Sequence, residues 1–366
     1  MKTIGITGGG GFLGWHLRAY FLPFKDIEVV SINRDVFNDD AKFLEVLKKC
    51  NVVVHCAGMN RGEESEVYKV NKGLAERLLE FINKAGTKPH LIFSSSVHID
   101  RDTSYGKSKK EVGEMFLNWG KEKNAPVTVL VLPNIFGEFG KPNYNSAVAT
   151  FCSQIVKGED SMINAEAPIA LIHVQDVAKK IHHVIEKKEI GEIRIGGEKT
   201  TIGAVYEALR DFHQEYTNYI VPQPKSAFDT ALFNTLRSYL PKDFYPQKLS
   251  PKSDPRGTLF ESVKHRGQGQ TFFSTTVPGA VRGNHYHKRK LERILVVQGE
   301  AEIELRKLMS DEIILYKVNG EEPQFIDMPT FYTHNIKNTG TTPLTTLFWI
   351  SEIFNADDPD TYPMNV

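Results

Sequence analysis

A chain of 366 residues, 40% apolar and 25% charged, is long enough to bury two separate cores and has the make-up of an ordinary globular protein. Its 45 basic and 45 acidic side chains cancel, so no general basic field recruits nucleic acid or an anionic membrane surface, and no apolar run reaches the length that spans a bilayer. Cys50, Cys56 and Cys152 form no paired motif, and residues 1–7 run into a strand-like segment with no signal peptide before it, which points to a cytoplasmic protein with free thiols.

In chain order, short apolar runs at residues 3–7, 28–32, 52–56, 90–94 and 127–132 predict strands. Amphipathic stretches at 41–49, 70–84 and 107–121 predict helices between them. This alternation predicts an α/β domain built on a doubly wound parallel sheet of Rossmann type. Between the first strand and the first helix stands Thr7-Gly8-Gly9-Gly10-Gly11-Phe12-Leu13-Gly14. Gly8, Gly11 and Gly14 have the spacing at which a tight turn brings the backbone up to a pyrophosphate; the helix start at Phe12 and Leu13 adds amide donors and the positive end of a dipole. At the tip of the second strand, Ser31-Ile32-Asn33-Arg34 lacks the acid that accepts ribose hydroxyls. Arg34, with Asn33 beside it, suits a 2′-phosphate instead, so the expected cofactor is NADP(H).

Further on, Tyr105-Gly106-Lys107-Ser108-Lys109 places a phenol and an ammonium one helical turn apart. A lysine there, beside a cationic nicotinamide, stabilises the phenolate and is expected to lower the tyrosine pKa, so that the phenol can take part in proton transfer. Phe93-Ser94-Ser95-Ser96 ends an apolar strand and offers a hydroxyl to the reacting oxygen. With these three features in order, the sequence resembles the extended short-chain dehydrogenase/reductase family of nucleotide-sugar enzymes over residues 1–245. The resemblance implies a catalytic set of Ser96 (or Ser95), Tyr105 and Lys109. It also implies cofactor contacts along His55-Cys56-Ala57-Gly58 from His55 and Ala57, and a substrate contact from Asn134 within Pro133-Asn134-Ile135-Phe136-Gly137.

After about Gly257 the texture changes to short alternating strands separated by turn pairs such as Asn319-Gly320 and Thr339-Gly340, which predicts an all-β domain over residues 246–366. Within it, His285 and His287 share one face of a strand, Glu292 follows a polar turn, and His334 comes from a later strand. Three imidazoles and one carboxylate suit zinc, manganese, iron or nickel. The spacing resembles the cupin superfamily, a double-stranded β-helix or jelly-roll, although the second motif carries Phe331 where glycine is usual. Zinc is the expected metal. Asp254-Pro255-Arg256-Gly257 and Arg282-Gly283-Asn284-His285 also resemble cupins that epimerise 4-keto-6-deoxy sugar nucleotides, which implies substrate contacts from Arg256 and Arg282.

The two domains in this order are similar to the bifunctional capsular polysaccharide enzymes, including the segment Lys141-Pro142-Asn143-Tyr144-Asn145-Ser146, whose Asn143 and Asn145 are implied substrate contacts. That resemblance implies a UDP-linked 2-acetamido-2,6-dideoxy-4-keto hexose, epimerised at C3 by the cupin and reduced at C4 with NADPH on the way to a UDP-N-acetyl-L-fucosamine precursor. The alternative is a C4 reductase whose cupin is a metal-stabilised module for dimerisation or ligand binding. A homodimer or dimer of dimers is expected by analogy.

Overall fold

The computed structural model describes residues 1–249, 252–254, 257–259, 263–265, 269–352 and 355–366. Two compact units emerge by packing: Met1–Thr150 with Met162–Val205, and Phe151–Ser161 with Tyr206–Val366.

The first half of the chain runs β1 (Lys2–Thr7), α1 (Phe12–Phe21), β2 (Ile27–Ile32), α2 (Arg34–Asn38), α3 (Asp40–Lys49), β3 (Val52–His55), α4 (Glu64–Ala85), β4 (His90–Ser96), α5 (Ser104–Lys123), β5 (Val127–Leu132) and β6 (Asn134–Phe136). It continues with α6 (Ala147–Lys157), β7 (Pro168–His173), α7 (Val174–Lys187), β8 (Gly191–Arg194), β9 (Glu198–Thr201) and α8 (Ile202–Thr217). Six strands in the order β2-β1-β3-β4-β5-β8 form one parallel sheet. Alternate residues feed two cores. Val53, Leu91, Phe93, Val129 and Val131 pack with Phe43, Leu78 and Phe116. Ile4, Ile6, Val54, Ile92 and Leu130 pack with Leu17, Phe21, Val177 and Ile181 on the other face. A sheet covered on both faces needs strands that are apolar throughout, which is why they read as continuous runs in the sequence. The strand order reverses at β1, so the ends of β1 and β3 flank the crevice where this architecture takes its ligands.

The remaining elements are β10 (Ile220–Val221), α9 (Ala227–Arg237), β11 (Gln247–Lys248), β12 (Lys252–Asp254), β13 (Gly257–Leu259), β14 (Lys264–His265), β15 (Gln270–Thr276) and β16 (Val281–Tyr286). They are followed by β17 (Glu292–Gln298), β18 (Glu300–Lys307), β19 (Ile313–Asn319), β20 (Gln324–Met328), β21 (Tyr332–Asn338), β22 (Leu344–Ile350) and β23 (Tyr362–Pro363). Two five-stranded antiparallel sheets, β11-β20-β17-β22-β15 and β19-β18-β21-β16-β23, share one core. The segment 206–245 joins that core, since Tyr216, Val221, Phe233, Leu240 and Tyr245 are buried together with Ile294, Ile303 and Phe348. Among the described residues no helix is long and apolar enough to cross a membrane.

A buried ion pair ties α8 to this core. Arg293 meets Asp327 through two hydrogen bonds of 2.7 and 3.0 Å, and the Tyr216 hydroxyl donates to the same carboxylate. Asp327→Ala takes the carboxylate from a guanidinium that is only 2% exposed. It is expected to cost the second unit about 3–5 kcal/mol in denaturant unfolding. A loss below about 1 kcal/mol would show that the pair is not a stabilising anchor.

Candidate functional site

The first unit brings the glycine loop, the tip of β3 and the start of α5 together. Gly8 has φ +67°, and a Cβ there would lie 2.9 Å from the Ala57 backbone. A Cβ on Gly14 would sit 2.3 Å from the Gly8 carbonyl, so the turn that closes with Gly11 N–H donating to Gly8 O at 2.9 Å admits only glycine. No side chain caps α1 at Gly11, so the amides of Phe12 and Leu13 at its start are left for an incoming ligand. These features fit a dinucleotide pyrophosphate. Arg34 is exposed as the first residue of α2, while Asn33 caps that helix, its Oδ1 accepting from Val36 N at 3.0 Å. His55 lies beneath the crevice: it is 1% exposed, bonded through Nδ1 to Thr7 Oγ1 at 2.8 Å, and burial pushes it down to about 3. It is a neutral strut between the ends of β1 and β3.

The expected catalytic set converges on the same place. Lys109 Nζ donates to the Ser94 carbonyl at 2.8 Å, lies 5.8 Å from the centre of the Tyr105 ring, and would be 3.8 Å from a Cβ on Gly58. Asn71 accepts from Met59 N at 2.6 Å and donates to Met59 O at 2.9 Å and Ser108 Oγ at 3.1 Å, fastening the loop after β3 to the start of α5. Of the two serines, Ser96 bonds the Tyr105 hydroxyl. Ser95 points to the opposite face of β4, and its buried hydroxyl has no hydrogen-bond partner among the described residues. Burial pushes Tyr105 up to about 12, with the Ser96 hydrogen bond opposing it, and it pulls Lys109 down to about 8. The phenol therefore keeps its proton at neutral pH.

Other expected contacts surround this centre. Asn134 donates to the Ala170 carbonyl at 3.3 Å and bonds His98, whose ring is 5.8 Å from that of Tyr105. Asn143 has φ +55° and accepts Arg61 Nη1 at 3.1 Å, while Asn145 is exposed in the same loop. The Tyr144 ring between them lies 5.9 Å from the Arg61 guanidinium and 5.3 Å from the Lys141 ammonium, and its phenol acts electrostatically on Tyr105. Nothing in the sequence alone assigns Tyr144 a role.

In the second unit, His285, His287, Glu292 and His334 meet, with ligand atoms all within 4.8 Å of one another. A bulge between Gly283 and His285 re-aims the end of β16, and Glu292 opens β17 in the other sheet. Glu292 Oε2 is 3.0 Å from His287 Nε2, 3.8 Å from His285 Nε2 and 3.9 Å from His334 Nε2. Such separations arise when donors share a cation at about 2.0–2.2 Å each. The His334 Nε2 atom is buried with no hydrogen-bond partner among the described residues, and burial pushes this imidazole down to about 3, which leaves its lone pair available. Burial opposes the charge on Glu292, but hydrogen bonds from His285 and His287 hold it well below the usual carboxylate range. The set fits a divalent metal. Phe331, at the position where glycine is usual, does take the left-handed conformation (φ +61°), and its ring is completely buried. A cavity of ≈490 Å³ opens beside the four residues and is also lined by Arg282, Lys290, Ile294 and Phe348. Lys290 was not foreseen; Arg256 lies outside the described residues.

Residues 4–196 match the NAD dependent epimerase/dehydratase family, and residues 252–362 match the polysaccharide biosynthesis C-terminal domain. The chain is 33% identical to UDP-2-acetamido-2,6-beta-L-arabino-hexul-4-ose reductase of Pseudomonas aeruginosa, over 100% of its own length and 99% of the relative's. It resembles the crystal structure of the capsular polysaccharide assembling protein CapF from Staphylococcus aureus with a TM-score of 0.65 and 32% identity, covering 99% of this chain and 100% of that one. The RMD protein of Pseudomonas aeruginosa complexed with NADPH, at 18% identity and TM-score 0.54 over 58% of this chain and 83% of that one, shares the fold.

Proposed function

The chain belongs to the NAD dependent epimerase/dehydratase family, and from that membership we propose a two-activity enzyme of capsular polysaccharide biosynthesis. Its substrate is a UDP-linked 2-acetamido-2,6-dideoxy-4-keto hexose. The second unit inverts C3, and the first reduces the C4 ketone toward a UDP-N-acetyl-L-fucosamine precursor. The observation that carries this reading is the Tyr105 phenol, bonded to Ser96 with Lys109 Nζ 5.8 Å from its ring centre, at the foot of a glycine loop.

The Gly8–Gly14 loop would hold NADPH with Arg34 toward its 2′-phosphate, and the bound cofactor would supply hydride to C4. Tyr105 gives its proton to the oxygen that becomes the alcohol, and Ser96 orients that oxygen. Lys109 places positive charge beside the phenolate left behind, which then takes a proton from solvent. In the second unit, the C4 ketone acidifies the C3 hydrogen, so a base can remove it and an acid return it on the other face. Zinc held by His285, His287, Glu292 and His334 would polarise the ketone. Arg282 and Lys290 line the same cavity and bring positive charge toward the oxyanion and the diphosphate.

The test uses the whole protein with a UDP-4-keto-6-deoxy-HexNAc in deuterated water. Deuterium is expected at C3 without NADPH, and ketone reduction once NADPH is added. Reduction without exchange would leave a C4 reductase with a non-catalytic C-terminal module. The pH profile is a separate check. Because burial lowers Lys109 to about 8, its charge is present below that pH and lost above it, so kcat/KM for reduction should fall as pH rises through about 8. A profile flat to pH 10 would remove Lys109 from the mechanism.

A further inference from the structure

We propose that Asp360 is a positioning residue for the histidine-lined cavity, acting through His287 and the turn that joins it to Glu292; the inference rests on reading that cavity as a metal site. Asp360 lies 73 residues beyond His287 in the chain and is 2% exposed. Its φ of +41° is a conformation that aspartate tolerates better than most residues but that still stores strain.

Four hydrogen bonds run from the turn to this one residue. The Asp360 carbonyl accepts His287 Nδ1–H at 2.6 Å. The carboxylate accepts Lys288 N at 3.0 Å on one oxygen, and Arg289 N at 3.0 Å and Lys290 N at 2.9 Å on the other. A carbonyl can only accept, so the imidazole carries a proton on Nδ1 and presents Nε2 to Glu292 Oε2, 3.0 Å away. Either a proton on Nε2 or a metal ion between the two atoms satisfies this approach. The bond on the far nitrogen sets which nitrogen ligates and how the ring is aimed.

The carboxylate contributes differently. Three successive amides converging on one anion fix the path of residues 288–290, and that path determines where Glu292 enters β17. Neither partner can leave without stranding the other, because a buried carboxylate without donors is costly. The rest of the tail holds Asp360 in place. β23 pairs with His285 and Tyr286, Met364 N donates to Asn284 O at 2.8 Å, and Lys290 Nζ donates to Pro359 O at 2.7 Å and Thr361 Oγ1 at 3.0 Å. The C-terminal segment thus braces a metal-ligand turn that is remote from it in sequence.

The test measures zinc affinity of the full chain by competition with a chromophoric chelator, and the visible absorption of the cobalt-loaded protein. Asp360→Ala should bind zinc about 10–100-fold more weakly and shift the cobalt ligand-field bands, a change that loss of stability alone would not produce. NADPH-dependent reduction should be retained. Asp360→Asn keeps one acceptor oxygen and should fall between the variant and the parent. Parental zinc affinity with an unchanged cobalt spectrum in both variants overturns the proposal. If Asp360→Ala does not fold, as judged by loss of a cooperative thermal transition, Asp360→Asn decides alone by the same two readouts. A parent protein that takes up neither zinc nor cobalt removes the metal reading and this inference together, an outcome distinct from parity between parent and variant.

Discussion

Tyr105→Phe should lower kcat/KM for NADPH-dependent ketone reduction by about 10²–10⁴-fold while leaving NADPH affinity and C3 exchange at parental levels. The substitution removes one oxygen and keeps the ring, its contact with His98 and the first turn of α5, which Thr103 caps through Gly106 N at 3.1 Å. Ser96 loses a partner but still accepts from His98 N at 3.3 Å, so little stability is at stake. What disappears is the acid placed to protonate the oxyanion as it forms. The high pKa of the phenol helps in this direction. A group at about 12 is fully protonated at pH 7, and burial that disfavours the phenolate preserves the acid. Lysine's role is then to limit the cost of the phenolate after transfer rather than to create it beforehand. Reduction by the phenylalanine variant at the parental rate would refute the assignment of Tyr105.

Much of this was legible in the sequence, for reasons that particular residues make plain. The strands at 52–55 and 127–132 are buried throughout and mostly apolar because helices cover both faces of the sheet, and the glycines at 8 and 14 cannot be replaced because backbone occupies the space a Cβ would need. His285, His287 and Glu292 lie within eight positions and declare themselves by spacing. The choice between Ser95 and Ser96 was available in principle: strand alternation sends neighbours to opposite faces, but only the fold shows that Tyr105 lies on the side of Ser96. The upward shift of Tyr105 was not legible, since desolvation depends on everything packed around the ring. Asp360 left no local signal, because its partners are backbone amides some 70 residues away. Tyr216 and Phe233 read as ordinary helix residues, and nothing in their periodicity says which core they enter.

The metal reading carries the second large effect. Glu292 is the only carboxylate of the four-residue cluster, held among three imidazoles that lie 3.0–3.9 Å from one oxygen. Glu292→Gln keeps the volume and one acceptor but removes the charge that offsets a divalent cation. Zinc affinity should fall at least ~100-fold, and deuterium exchange at C3 with it, while C4 reduction in the first unit is unaffected. Chelation of the parent protein should act in the same way and also destabilise the second unit. Metal held at about 1,000 times its Kd contributes roughly 4 kcal/mol, so its removal should lower the thermal midpoint by about 10 °C. Loss of exchange on chelation alone would not separate a catalytic metal from a structural one, and Lys290 provides the separation. Its ammonium lines the cavity but reaches only Pro359 O and Thr361 Oγ1. Assayed with zinc in excess, so that any loosening of the tail that holds Asp360 does not empty the site, Lys290→Met should reduce C3 exchange by about 10²-fold, the scale of one lost donor to a developing oxyanion. If exchange persists undiminished in both Glu292→Gln and Lys290→Met, the cavity is not where C3 is inverted.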